Sequence, residues 1–201
     1  MTGQINVNKI AARVGNTITV ESGDVLQAPG HVIQVKSAAF TDVLAISSAD
    51  TRTDITNLSL TITPSSTSSK ILVNTHISYS GSSNNLYGSG YLMRDSTDIG
   101  VNTTATGSQF NISFGLELVG QANETYKLRN SSMTFLDSPS STSTLTYKVQ
   151  ARVDANGTMY INRPGNDANA DYGSRGISTL TVMEIAQWVR YLLISWRIHL
   201  V

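Results

Sequence analysis

Apolar and polar residues alternate with a period of two along several windows of this chain. Leu58, Leu60 and Ile62 alternate with Ser59, Thr61 and Thr63, and Ile71, Val73, Thr75, Ile77 and Tyr79 alternate with Leu72, Asn74, His76 and Ser78. The same rhythm runs through Phe110, Ile112, Phe114, Leu116 and Leu118, and through Leu145, Tyr147, Val149, Ala151 and Val153. Successive side chains of a strand point to opposite faces, so each window reads as a strand with one buried face. No long window shows helical spacing, and the expected class is all-β.

Turn chemistry separates the windows. Pro64 and the serine-rich run after it stop one strand, and Asp137-Ser138-Pro139 stops another. Asn156-Gly157 readily takes the positive φ angles of a tight turn, which predicts a hairpin joining 151–153 to 159–161. The stretches Ser80–Gly90, with Tyr87, and Asn162–Gly176, with Asp167, Asp171 and Tyr172, read as long polar loops. Roughly eight to ten short strands between residues 38 and 187 suit a sandwich or barrel, and an antiparallel jelly-roll-like β-sandwich is the preferred form.

The two ends differ from this middle. Residues 1–36 carry short apolar groups (Ile5, Val7 and Ile10, then Thr17–Val20, then Val32–Val35) separated by glycines. None is large enough to bury itself, so this extended segment is expected to order as a shaft in an oligomer or on a neighbouring protein. The sandwich is expected over 37–187. In 188–201 hydroxyl residues all but vanish while Trp188 and Trp196 appear, an apolar extension expected to pack against another subunit. It is too short to span a bilayer and contains Arg190 and Arg197. No membrane insertion is expected.

Composition sharpens the picture by exclusion. Only 14% of the 201 residues are charged and the formal net charge is zero, which does not suit a chain built to track nucleic-acid phosphates. With no cysteine, disulfides and thiolate chemistry are absent, and stability falls to packing and association. Met1–Gly15 holds no apolar stretch of signal-peptide length, so a particle assembled in the host cytoplasm fits better than a secreted domain.

Candidate chemistry is sparse. His31, His76 and His199 are far apart and have no cysteine to complement them, so no metal centre and no cofactor are expected. Gly88-Ser89-Gly90 lacks the strand-turn-helix context of a nucleophile elbow. Asp167 and Asp171 share one Asn- and Gly-rich loop, where solvation outweighs both paired-acid catalysis and cation binding. No enzyme is expected. Tyr87 and Tyr172, with Asn84, Asn85, Asp167 and Asp171 in the same polar loops, are the candidate surface contacts, because exposed rings beside amides can stack on sugars. Tyr79 and Tyr91 read as core. Ile5, Val7, Ile10, Trp188 and Trp196 are the candidate contacts to virion or subunit neighbours.

The segments Gly3–Ile10, Gly15–Val20 and Ala28–Val35 resemble the opening of tail-fibre-like and other virion proteins of marine and freshwater bacteriophages. Leu60–Pro64, Lys70–Val73, Thr134–Pro139, Thr146–Gln150, Tyr160–Arg163 and Ser178–Ile185 are similar to the same group. These are strand-and-turn patterns, and they cover nearly the whole chain to residue 186. The resemblance implies a tumour-necrosis-factor-like jelly-roll head, assembled as a homotrimer and carried on a virion. Residues 187–201 depart from it. It transfers no catalytic or metal residue. The expected role is a tail or neck fibre component that presents loops to host surface polysaccharide or protein. The alternatives are a head decoration or cement protein, and, less favoured, a glycan-degrading enzyme.

Overall fold

The computed structural model describes residues 30–119, 124–155, 157–171 and 173–187. The strands are β1 (Val32–Phe40), β2 (Leu44–Ile46), β3 (Thr53–Ile62), β4 (Lys70–Gly81), β5 (Asn85–Leu86), β6 (Gly88–Arg94) and β7 (Thr97–Ile99). They continue with β8 (Phe114–Gly115), β9 (Leu118–Val119), β10 (Arg129–Asp137), β11 (Leu145–Val153), β12 (Met159–Ile161) and β13 (Ser178–Ile185). The protein is all-β, as the period-two pattern predicts.

Several strands are pieces of one line. β2 and β1 flank β12 and β13, which in turn lie end to end along one side of β4, while β10 takes the other side. This gives one sheet, in the order β1/β2, β13/β12, β4, β10. The second sheet runs β3, β11, β6, then β7 and β8 together on the far side of β6. Pairing is nested along the chain. First meets last (β1 with β13), then β3 meets β11, β4 meets β10, and β6 meets β7 and β8. A long antiparallel ribbon rolled upon itself produces this order, which is jelly-roll topology.

The core lies between the sheets. Ile71, Val73, Ile77, Leu180 and Val182 face Leu58, Ile62, Leu92, Tyr147 and Val149, all essentially without solvent contact. Along β11 and β13 every second residue is buried, which is the sequence pattern translated directly into packing.

Three expectations need correction. The hairpin at Asn156-Gly157 does not form, since β11 lies in one sheet and β12 in the other. Both edges of β11 are occupied, by β3 and β6, so no ladder is open to β12. It pairs with β2 and the end of β4 instead. The window 110–118 is not one continuous strand. Burial still alternates from Phe114 to Leu118, but the ladder is broken into β8 and β9, and Phe110 is 58% exposed. Ser80–Gly90 is not a loop throughout, because it holds the end of β4, β5 and the start of β6. The pairing of β1 with β13 runs from Val32 to Phe40. Residues 1–29 and 188–201, with Ile5, Val7, Ile10, Trp188 and Trp196, lie outside the described residues.

Two polar clusters tie the sheets and turns together. Glu184, fully buried, accepts hydrogen bonds from Gln34 Nε2 at 2.6 Å and from the Ser65 amide, Ser65 Oγ and Ser69 Oγ at 2.7 Å each. It thereby joins β1, the turn after β3 and β13. Burial alone raises its pKa, but the hydrogen bonds outweigh burial and hold it below the ordinary 4.5. Asp137 on β10 accepts from Arg94 Nη1 and from the Tyr147 hydroxyl, both at 2.7 Å, which links the two sheets. Burial first, and then the bond to Asp137, push the Tyr147 hydroxyl pKa up, so it donates at all physiological pH values.

A group with a depressed folded-state pKa contributes stability that is complete above its unfolded value and is lost as pH falls through the folded value. Glu184 is therefore expected to steepen the loss of stability below about pH 4.5. Urea titrations across pH 3–7 should show this slope flattened in Glu184→Gln, with a loss of about 1–3 kcal/mol at pH 7 from donors left unmatched. Asp137→Ala leaves Arg94 and Tyr147 partly buried without their acceptor and is expected to cost about 3–5 kcal/mol, read by the same unfolding measurement at pH 7.

Candidate functional site

The two outer faces of the sandwich are chemically opposite. On the β3–β11–β6 sheet, charges cover the outer face. Arg152 pairs with Asp50, Lys148 lies 3.0 Å from Asp54, and Arg52 lies 2.7 Å from Asp98. Hydrogen bonds from Gln150 and Lys148 outweigh burial and lower the Asp54 pKa. The Arg52 guanidinium also stacks 3.7 Å above the Tyr91 ring. Tyr91 is buried as expected, though on the outer side of its sheet under that arginine, whereas Tyr79 is buried in the core.

The outer face of the β4 sheet is charge-free across its three middle rungs, with Lys70 beyond them, donating to Ser138 Oγ at 2.7 Å. Register places Val35, Met183, Leu72 and Leu136 in one rung across four strands, an apolar row. The next rung is Ser37, Thr181, Asn74 and Thr134, knit by Ser37–Thr181 at 2.9 Å and Asn74–Thr134 at 2.8 Å. The third is Ala39, Thr179, His76 and Ser132, with His76 Nδ1 at 3.0 Å from Ser132 Oγ. These three rungs contain no Asp, Glu, Lys or Arg. Val35 is 52% and Leu136 51% exposed. Lys36, on the same edge strand, points to the opposite side, an inward charge of the kind that discourages sheet-edge pairing.

A groove of about 480 Å³ opens at one end of the charged sheet, lined by Tyr87, Phe110, Glu117, Arg152, Asp154 and the loop from Asn102 to Ile112. That loop is held by Thr104 N to Asn102 Oδ1 at 2.8 Å, Ala105 N to Asn111 Oδ1 at 3.1 Å and Thr106 N to Gln109 Oε1 at 3.0 Å. Ser113 anchors it to the sheet, donating to Ile99 O and accepting from Leu92 N. Arg152 stacks 4.1 Å from the Phe110 ring. The Asp154 carboxylate accepts from the Tyr87 amide at 3.3 Å.

The glycines beside the groove are structural. A side chain at Gly90 would occupy the place of the Phe114 ring, and one at Gly88 would meet Leu116 O and Met159. Close packing therefore accounts for both glycines.

Of the sequence-derived contact candidates, Tyr87 alone lines the groove. Asn84 and Asn85 are exposed nearby in sequence but do not line it. Asp167 lies 2.5 Å from Arg175 and 3.8 Å from Arg163, and Arg163 stacks on Tyr160. Asp171 is exposed on that same loop, and Tyr172 lies outside the described residues. Phe110, Glu117, Arg152 and the three amides of the Asn102–Asn111 loop were not legible as site residues. They come from separate segments that only sheet pairing brings together.

No family model and no curated protein matches this chain. Among solved structures, one of the infectious bursal disease virus Gx strain is 12% identical, with a TM-score of 0.38, covering 84% of this chain and 46% of that one. The VP2 subviral particle of infectious bursal disease virus is also 12% identical, with a TM-score of 0.35, covering 85% and 42%. The chain thus spans less than half the length of either, and likeness at this level carries no argument about role.

Gly90→Ala is expected to displace Phe114 and lower unfolding free energy by about 1–3 kcal/mol, measured by denaturant titration.

Proposed function

We propose that this protein is a structural component of a phage virion, assembling as a homotrimer and presenting its loops for host attachment as part of a tail or neck fibre. The observation that carries the assembly half is the asymmetry of the two outer faces. A sheet face with one apolar rung and two hydroxyl-rich rungs, none of which holds a charge that would repel a second copy, suits burial against identical subunits. The opposite face, covered in charge pairs, suits water. Standard interfaces bury about 800 Å² per partner, a size that a four-stranded face can supply. Apolar burial at roughly 25 cal/mol per Å² then offsets association costs and supplies stability that a cysteine-free chain must find in packing.

The virion assignment is supported by the strand-and-turn resemblance along the chain and by the jelly-roll topology. The same geometry serves a decoration protein on a capsid. Copy number in purified particles separates the two, with dozens or fewer expected for a fibre and hundreds for decoration.

Light scattering on the purified chain is expected to give three times its 21.6 kDa mass. Leu72→Asp, which places a charge in the apolar rung, should shift the protein to monomer with unchanged β circular dichroism. A wild-type chain that stays monomeric at high concentration would rule out the assembly half.

A further inference from the structure

We infer that the groove between Tyr87 and Phe110 is a binding site for a neutral polysaccharide segment of one to a few sugar rings. This deepens the attachment reading by naming the ligand class and the residues, and it rests on that reading only for its biological purpose, because the groove is built within one subunit.

The chemistry of the lining selects the ligand. Tyr87 and Phe110 are 46% and 58% exposed, whereas Phe40, Tyr79, Tyr91, Phe114 and Tyr147 are buried. Exposed rings at a groove offer flat apolar faces to the C–H faces of a pyranose, as in other aromatic stacking contacts. Phe110 is held in place by Arg152, whose guanidinium stacks on it and pairs with Asp50. The ring is therefore pre-positioned, which lowers the ordering cost of binding.

The polar groups around the rings are half-used. Asn102, Gln109 and Asn111 each spend their carbonyl oxygen on a loop amide. Their NH₂ groups donate to no described residue and remain available. Glu117, exposed on the groove wall, forms no side-chain hydrogen bond or ion pair with any described residue. A sugar hydroxyl both donates and accepts, so it can satisfy carboxamide donors and a carboxylate acceptor side by side. A purely apolar ligand would leave these groups unmatched.

Charge decides between glycan classes. The groove lining carries the Glu117 carboxylate, which has no ion-pair partner among the described residues, while its one guanidinium, Arg152, already faces Asp50. A uronate or other anionic glycan would meet net negative charge with no free cation in the lining. Neutral sugars avoid this repulsion.

The test is nuclear magnetic resonance titration of the full-length protein with two panels of oligosaccharides. One holds neutral gluco-, manno- and galacto-oligosaccharides, the other the corresponding uronate oligomers. At least one neutral oligosaccharide is expected to bind, with shifts centred on the Gly88–Ser89 and Asn102–Ile112 amides, and to bind at least tenfold more tightly than its uronate counterpart. Phe110→Ala and Tyr87→Ala, both at exposed positions, should each weaken binding tenfold or more while leaving the dispersion of the amide spectrum and the oligomeric state unchanged. Glu117→Gln should weaken the neutral ligand and narrow the discrimination against uronates. No binding by any neutral oligosaccharide, equal binding of uronates, or binding indifferent to both aromatic substitutions would overturn the inference. The mass of the assembly by light scattering reports on the trimer separately, so failure of assembly and failure of the groove are distinguishable.

Discussion

A buried carboxylate with no cation beside it sets the register of the strand on which the first sheet is built. Glu184 receives hydrogen bonds from β1, from the turn after β3 and from that turn's last serine, so β13 can sit in only one position between β1 and β4. A slip of one residue would exchange the faces of the whole strand. Val182 and Leu180 would leave the core, Met183 and Thr181 would enter it, and Glu184 would lose every donor. The rungs on the outer face exist because this register holds.

From that register follows the division of labour between the two faces. Both sheets bury one side against each other, and period-two geometry leaves each with a second side. One second side is spent on ion pairs, the Arg52–Tyr91 stack and the loop that closes over it. The other carries one apolar rung and two hydroxyl-rich rungs, with Lys70 beyond them. Asp137, Arg94 and Tyr147 lock the two sheets in one relative position, so both surfaces are presented as rigid planes. The proposed assembly through one face and the proposed recognition at the end of the other draw on different residues.

The groove is a product of chain crossing more than of any one segment. β6 approaches β8 closely because Gly88 and Gly90 have no side chains, which lets Phe114 drop into the core and sends the preceding loop across the sheet. Phe110, four residues earlier, emerges on the outside beside Arg152 of β11. Its apolar character, which reads as a core position in the linear pattern, is used at the surface instead.

The sequence by itself determined which residues face inward. Alternation in 70–77 and 145–153 maps onto buried and more accessible positions residue by residue, because strand side chains have a strict period of two whatever the neighbouring strand; at Ser78 the pattern gives way to burial. It also made the class all-β, and it pointed to Tyr87 as an exposed ring. Tertiary structure decided which strands pair, since a hydrogen-bond ladder depends on which edges are still open. Asn156-Gly157 has hairpin chemistry, yet β11 has no free edge to offer. The broken β8–β9 line, the charge-free rungs and the meeting of Tyr87 with Phe110, Glu117 and Arg152 belong to the same class of fact. Each depends on residues far apart in the chain, and local pattern carries no information about their distance until the ribbon has rolled.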